Sequence, residues 1–243
     1  MRRSLILAAA LSFALTAGAM AQTPSQDDLQ KDFDAFWQEE EYHDDLLDGT
    51  GTGGGPSMQW FKRDLDDVNA ALEAAGLLAL PEKSLYWGGQ GWYSVHSGDR
   101  LFVALGGGGY GGGGESERGD DLSRFTRGAG WFGVKGILPL HRRVFVEGGL
   151  SLGAGSSSVL VERTDAGTGI INVHLRGDRV FLLARPHAGI DLRLARWVGI
   201  LVEGGYELTS GDWTLKGERD LIDGLDFGDG NGPFAAVTLR FGI

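Results

Sequence analysis

Cysteine is absent from this chain of 243 residues, and proline is scarce, with 6 residues. Without cysteine there can be no disulfide framework and no thiolate metal site. After the first 21 residues, no stretch supplies the roughly 18 consecutive apolar residues that a transmembrane helix needs. The formal net charge of -11 argues against nucleic acid as a partner. A membrane role would therefore use β-strands or a surface contact.

The first 21 residues have the composition of a secretory signal peptide. Arg2 and Arg3 supply the positive start, and an apolar run follows from Leu5 to Ala17. Ala19–Ala21 forms a small-residue cleavage site, so the mature chain is expected to begin near Gln22.

Residues 22–83 are expected to form an acidic, partly helical segment before the main domain. Gln22–Asp48 carries apolar residues at roughly helical spacing among Asp and Glu. The next stretch, Gly49–Pro56, has the composition of a flexible break. A second helix is predicted from about Asp64 to Ala75 and ends at Gly76.

Glycine is abundant, at 42 residues, where average usage would give roughly 17. The glycines lie within runs of aromatic and β-branched residues, which favours curved, closely packed strands over disorder. From Ser84 onward the apolar period is two, and we predict seven strands: Ser84–Val95, Leu101–Gly109, Gly128–Leu138, Val144–Gly155, Val180–Leu194, Val198–Leu208 and Phe234–Ile243. A hairpin of Val159–Arg163 with Ile170–Leu175 is a candidate extension of the fourth and fifth strands. Because bacterial barrels have an even number of strands, an eighth is sought in Ser57–Phe61.

Two patterns in residues 84–243 favour a membrane barrel. Along each strand, apolar residues alternate with small or charged ones, which suits lipid outside and a polar lumen inside. A half-exposed soluble sheet has the same alternation. The connections also alternate in length, as in membrane barrels with short periplasmic turns and long outer loops. The short ones are His96–Arg100, Pro139–Arg143 and Ala195–Trp197, and the long ones are Tyr110–Arg127, Ser156–Arg179 and Thr209–Pro233.

The stretches Arg185–Gly189, Val202–Tyr206 and Val237–Phe241 resemble those of small outer-membrane β-barrel proteins of Gram-negative bacteria. The resemblance covers Ser84 to Ile243 and includes no residue motif unique to one family. It implies an all-β, antiparallel up-and-down barrel of about eight strands in the cell outer membrane. It implies no particular substrate.

Two local features have more than one interpretation. The aromatic residues Trp87, Trp92, Trp131, Tyr206 and Phe234 suit girdles at the two membrane surfaces, or the core of a soluble fold. The glycine run 106–114 lacks the Lys-Ser/Thr of a phosphate-binding loop. We therefore interpret it as a strand end that runs into a flexible outer loop.

The candidate functional site is a charged cluster on the predicted inner face of two neighbouring strands: Arg185, His187, Asp191, Arg193, Glu203 and Glu207. A lone buried charge is costly, so a structural ion-pair network is the first interpretation. The second is a lumen site for an ion or a small polar ligand, which Lys135 and Glu147 would join. A catalytic pair of His187 and Asp191 is disfavoured, because residues four apart on one strand lie about 13 Å apart. Ser151 is the nearest inward hydroxyl.

The sequence contains no catalytic, metal or cofactor signature. The function we expect is a non-enzymatic outer-membrane barrel with a structural role, a surface-interaction role, or weak binding or passage of small solutes. Its expected partners are outer-membrane lipid and either a small polar ligand or a second copy of the chain. The alternatives are a soluble periplasmic or secreted binding barrel, and a membrane-embedded hydrolase or acyltransferase. An eight-stranded lumen is just wide enough for side chains, so an open pore is not expected.

Overall fold

The computed structural model describes residues 52–62, 65–97, 101–119, 121–141, 143–164, 168, 171–195, 197–217, 227 and 230–242. The expected signal peptide and the helix predicted in Gln22–Asp48 lie outside these residues. In chain order the elements are β1 (Gly53–Lys62), α1 (Asp66–Ala74), β2 (Lys83–Ser97), β3 (Phe102–Arg118), β4 (Asp121–His141), β5 (Val144–Thr164), β6 (Ile171–Ala195), β7 (Val198–Ser210), β8 (Trp213–Gly217) and β9 (Gly232–Phe241).

The strands form one closed antiparallel ring. Each of β1 to β6 pairs with the next strand in the chain, β7 pairs with β9, and β9 pairs with β1. The short strand β8 continues the line of β7 and pairs only with β6. The two are separated at Gly211, whose φ of 154° and whose approach to the Val180 carbonyl leave no room for a side chain. The all-β barrel of about eight strands expected from the sequence is confirmed.

Strand β1 closes the ring, so the barrel begins at Gly53 and not at Ser84. The eighth strand sought in Ser57–Phe61 is confirmed. The flexible break predicted over Gly49–Pro56 is wrong from Gly53 onward. Glycine is required there for close packing, because a Cβ at Gly55 would lie 2.0 Å from the Leu239 carbonyl oxygen.

The strands are longer than the sequence suggested at one end of the barrel. The predicted loop Tyr110–Arg127 is wrong, since β3 and β4 pair in register down to Arg118 and Asp121. The glycine run 106–114 is strand and not loop. It was missed because glycine has no side chain whose polarity could reveal an alternating pattern. The predicted extension of the next hairpin is confirmed, with Val161 opposite Leu175.

The three short connections predicted from the sequence all lie at the opposite end, which we call the short-turn end. There β2 leads to β3, β4 to β5 and β6 to β7 within a few residues. The end that carries α1 and the strand extensions is called the long-loop end. In membrane barrels the short turns face the periplasm, so the long-loop end faces outward from the cell.

Large apolar side chains point away from the ring and cover its outer wall. Exposed examples on the central strands are Phe132, Val134, Leu150, Leu152, Leu182 and Ile190. Along β4 the apolar or small outward positions run from Gly128 to Leu140. Twelve residue steps in a strand tilted by about 45° span about 28 Å, close to the thickness of a bilayer's hydrocarbon core. The chain is thus a β-barrel of the outer membrane, as expected.

The aromatic residues proposed for membrane girdles divide between the two faces of the wall. Trp87 and Tyr206 are exposed on the outside, as a girdle requires. Trp92, Trp131 and Phe234 are buried in the lumen, so the girdle interpretation is wrong for them. They occupy inward positions of their strands and pack against charged side chains.

Helix α1 covers the long-loop end of the lumen. Its buried face, Val68 and Leu72, belongs to one cluster with inward residues of the strand extensions, including Phe125, Val159 and Leu175. The side-chain amide of Asn69 holds the returning chain, because it donates to the Leu80 carbonyl (3.1 Å) and accepts from the Leu80 N–H (2.8 Å). Among the residues described, no helix combines the length and apolar character needed to cross a membrane.

Candidate functional site in the barrel lumen

The six predicted site residues all point into the lumen. Arg185, His187, Asp191, Glu203 and Glu207 are buried, and the side chain of Arg193 is 9% exposed. Strand alternation explains this placement, because all six lie at odd-numbered positions of β6 and β7, whose odd-numbered side chains face inward. They do not form one site, because the contacts of five of them divide into three groups along the barrel, and His187 stands apart.

The group nearest the short-turn end is an ion-pair network. Arg240 donates to Asp191 in a close contact, and the Nε atom of Arg193 lies 3.4 Å from the same carboxylate. Lys135 donates to Glu147 over 2.6 Å, and both side chains are fully buried. A guanidinium nitrogen of Arg240 lies 3.8 Å from Glu147, so the two halves of the network are linked.

A glycine allows this network to cross β7. Gly199 lies opposite Arg193 on one side and Arg240 on the other. A Cβ at Gly199 would lie 3.0 Å from an Asp191 carboxylate oxygen, so a larger residue would press on the network. The absent side chain leaves space through which β6 and β9 side chains meet.

The middle group surrounds Arg185. Its guanidinium donates to the Gln59 side-chain oxygen (3.0 Å) and lies 3.4 Å from Glu203. It also stacks over the Phe234 ring, with 3.6 Å from Cζ to the centroid, and lies near Trp131. The guanidinium is thus held by an amide, a carboxylate and two aromatic faces, which keeps its charge inside the narrow lumen.

Gln90 ties the middle group to the opposite wall. Its amide donates to the Thr238 hydroxyl over 2.8 Å and lies 3.4 Å from Glu203. Its side-chain oxygen accepts from the indole N–H of Trp92 over 2.9 Å. Polar residues without charge therefore complete the hydrogen bonding of this charged layer.

The third group lies toward the long-loop end and centres on Glu207. The Tyr110 hydroxyl donates to Glu207 over 2.8 Å, and Arg127 donates to the same carboxylate oxygen in a close contact. Arg127 also donates to the Tyr110 hydroxyl (3.0 Å) and lies over the Phe181 ring. Arg127 and Tyr110 were assigned to a loop from the sequence. Every second residue of β4 faces the lumen, so Arg127, which lies eight residues before the inward Lys135, faces the lumen as well.

His187 is held apart from the carboxylates. Its Nδ1 lies 3.2 Å from the Arg185 carbonyl oxygen, and its ring packs beside Trp92. Among the described residues, its buried Nε2 has no hydrogen-bond partner, and the same is true of the Ser151 hydroxyl. Asp191 is engaged by Arg240 instead, so the histidine has no orienting acid. These buried atoms suit hydrogen bonds to water or to a small polar molecule.

Apolar clusters pack among the charged groups. Trp92, Phe102, Ile137 and Phe145 form a buried cluster at the short-turn end. A second cluster contains Phe61, Tyr86, Tyr110, Trp131, Phe181, Leu183 and Phe234, and the third is the cluster under α1. Within the described residues, no group of three or more His, Asp or Glu is arranged to hold a metal ion.

No protein family model matches the chain, and no curated protein matches it. Several solved structures are similar to it, and three of them are each aligned over 79% of this chain. Ail, the attachment invasion locus protein of Yersinia pestis, is 12% identical over 97% of its length, with a TM-score of 0.42. CarO of Acinetobacter baumannii is 9% identical over 98%, with a TM-score of 0.43. The outer membrane protease OmpT from Escherichia coli is 10% identical over 94%, with a TM-score of 0.36.

Proposed function

We propose that this protein is a non-enzymatic barrel with a closed lumen, which acts in the outer membrane through its wall and its outer end. The observation that carries the proposal is the filling of the lumen. Three apolar clusters and three hydrogen-bonded charged groups pack together inside the barrel, and α1 covers the outer end. A barrel of eight strands leaves space for little beyond these side chains.

Weak binding of a small polar molecule in the lumen is a secondary part of the proposal. It is supported by five buried polar atoms of lumen residues that have no protein partner among the described residues: Glu147 Oε1, Ser151 Oγ, His187 Nε2, Asp191 Oδ1 and Glu207 Oε2. Diffusion through the barrel is not part of the proposal, because a solute would have to displace paired charges and aromatic rings.

Swelling of proteoliposomes in small sugars tests the closed lumen. We expect vesicles with the wild-type barrel to swell no faster than empty vesicles, whereas a general porin in the same lipid swells at once. A matched variant that lacks residues 64–76 reports on the contribution of α1 alone. Its lumen is still blocked by the two lower clusters, so it should stay closed. Fast swelling of the wild-type vesicles would refute the proposal.

A further inference from the structure

A broad hollow lies on the outside of the wall, where β3, β4, β5, β6 and β8 extend toward the long-loop end. Its volume is about 1180 Å³, and it is lined by Glu115, Arg124, Thr126, Ser158, Asp178 and Thr214, among others. Most of its lining residues lie at outward positions of their strands, and Arg127 of the third lumen group is also among them. The hollow lies directly above the apolar band of the wall, toward the long-loop end, which faces outward from the cell.

The strand register places a row of hydroxyl and carboxylate groups across the hollow. Gly113, Thr126, Ser158, Asp178 and Thr214 stand side by side on five neighbouring strands. The hydroxyls of Thr126 and Ser158 are 2.7 Å apart and exposed. Such a row offers several donors and acceptors in one plane, which suits the hydroxyls of a sugar.

The next row toward the outside carries cations. It contains Arg124, Arg176 and Lys216, with Glu115 at its edge. Arg124 pairs with Glu115 over 2.9 Å, but both side chains are about half exposed. Exposed ion pairs of this kind are weak, so Arg124 is free to exchange its carboxylate for a phosphate, which it can bind with two parallel hydrogen bonds.

Below the hydroxyl row, the part of the wall formed by β3, β4 and β5 carries small side chains, whereas Val180 and Leu182 project from β6 beside it. Gly111, Gly128 and Gly130 face outward there, followed by Ala154. Barrel packing does not require glycine at these places. A Cβ at Gly111 would have no atom within 4 Å, and a Cβ at Gly128 or Gly130 would have its nearest atom at 3.4 Å or 3.7 Å, respectively. The lower part of the band carries larger side chains such as Leu152, so the small residues leave a recess in the lipid-facing surface.

We propose that the hollow binds the headgroup of a phosphorylated glycolipid of the outer leaflet, with its acyl chains in the glycine recess. Beyond the cation row, β3 and β5 carry Glu117 and Glu162. From the cation row downward, the wall carries cations, then hydroxyls and carboxylates, then small residues on β3, β4 and β5. That order matches phosphate, sugar and acyl chain in one molecule. A free sugar would use only the hollow, whereas the recess beneath it favours a lipid. The proposal depends on membrane embedding but not on the closed lumen.

Native mass spectrometry of the full barrel in detergent micelles tests it, with diphosphorylated lipid A and phosphatidylethanolamine as probes. We expect lipid A to be retained at least tenfold more tightly. Gly128→Val fills the recess and should weaken lipid A binding several-fold. Gly204→Val is the matched control, because Gly204 lies on the lower part of β7, outside the recess. A Cβ at Gly204 has similar space, with its nearest atom at 3.5 Å. This variant should bind lipid A like the wild type.

The double variant Arg124→Gln/Arg176→Gln tests the headgroup contacts without risk to folding, because both side chains are exposed. It should lose selectivity for diphosphorylated over dephosphorylated lipid A, while heat-modifiable mobility on a gel stays that of the wild type. Equal retention of lipid A and phosphatidylethanolamine by the wild type would overturn the proposal. So would unchanged lipid A binding in a folded Gly128→Val variant. Liposome swelling reports on the lumen alone, so the two proposals fail separately.

Discussion

The buried pair of Lys135 and Glu147 offers the sharpest test of the charged lumen. The two side chains are fully buried and 2.6 Å apart. Breaking a buried pair by removing one partner typically costs about 3–5 kcal/mol, because the other charge remains unpaired. The surroundings of the two partners differ, so we expect the two single variants to differ as well.

Lys135→Met leaves the Glu147 carboxylate with Arg240, a guanidinium nitrogen of which lies 3.8 Å away. We therefore expect a loss near the lower limit, about 3 kcal/mol. Glu147→Leu leaves the Lys135 ammonium with the face of Trp92, 4.5 Å from the ring centroid. A cation–π contact replaces only part of an ion pair, so the loss should be near about 5 kcal/mol.

The double variant Lys135→Met/Glu147→Leu removes both charges and keeps the volume roughly constant. Replacing a buried pair with apolar residues is often neutral, so its stability should lie within about 1 kcal/mol of the wild type. Urea unfolding from lipid vesicles, followed by tryptophan fluorescence, measures all three variants. If the double variant loses the sum of the two single losses, about 8 kcal/mol, the charges are not coupled and the reasoning is refuted.

Three further perturbations have expected outcomes under the same unfolding assay. Gly133→Ala should destabilise the barrel, because the new Cβ would lie 2.4 Å from the Ser151 hydroxyl. The control Gly130→Ala should be near neutral, because the nearest atom to its Cβ would be 3.7 Å away. Equal losses of stability in the two variants would contradict the packing described. Leu72→Ala in the fully buried face of α1 should cost about 2–5 kcal/mol, and a loss below that range would show that the helix is not packed on the strands. Phe132→Arg on the exposed outer wall should cost about 2–4 kcal/mol in a bilayer, and no loss would mean that this face does not contact lipid.

Much of the barrel follows from local patterns in the sequence and could therefore be predicted. A strand turns successive side chains to opposite faces, so a period of two identifies both the strand and its inward positions without knowledge of its neighbours. This is why Arg185, Asp191 and Glu203 were correctly placed in the lumen. The short connections and helix α1 were found for the same reason, because turn residues and helical spacing are also local.

The tertiary structure decided which strands close the ring and which charges meet. Arg240 pairs with Asp191 and Arg127 with Glu207 only because the sheet curves until distant strands face each other across the lumen. The first part of β1, from Gly53 to Pro56, and the glycine-rich part of β3 were missed because glycine carries no polarity pattern, and its role there is the close approach of two backbones. The alternation of side chains along a strand is a property of the local sequence, whereas contacts across the lumen exist only after the ring has closed.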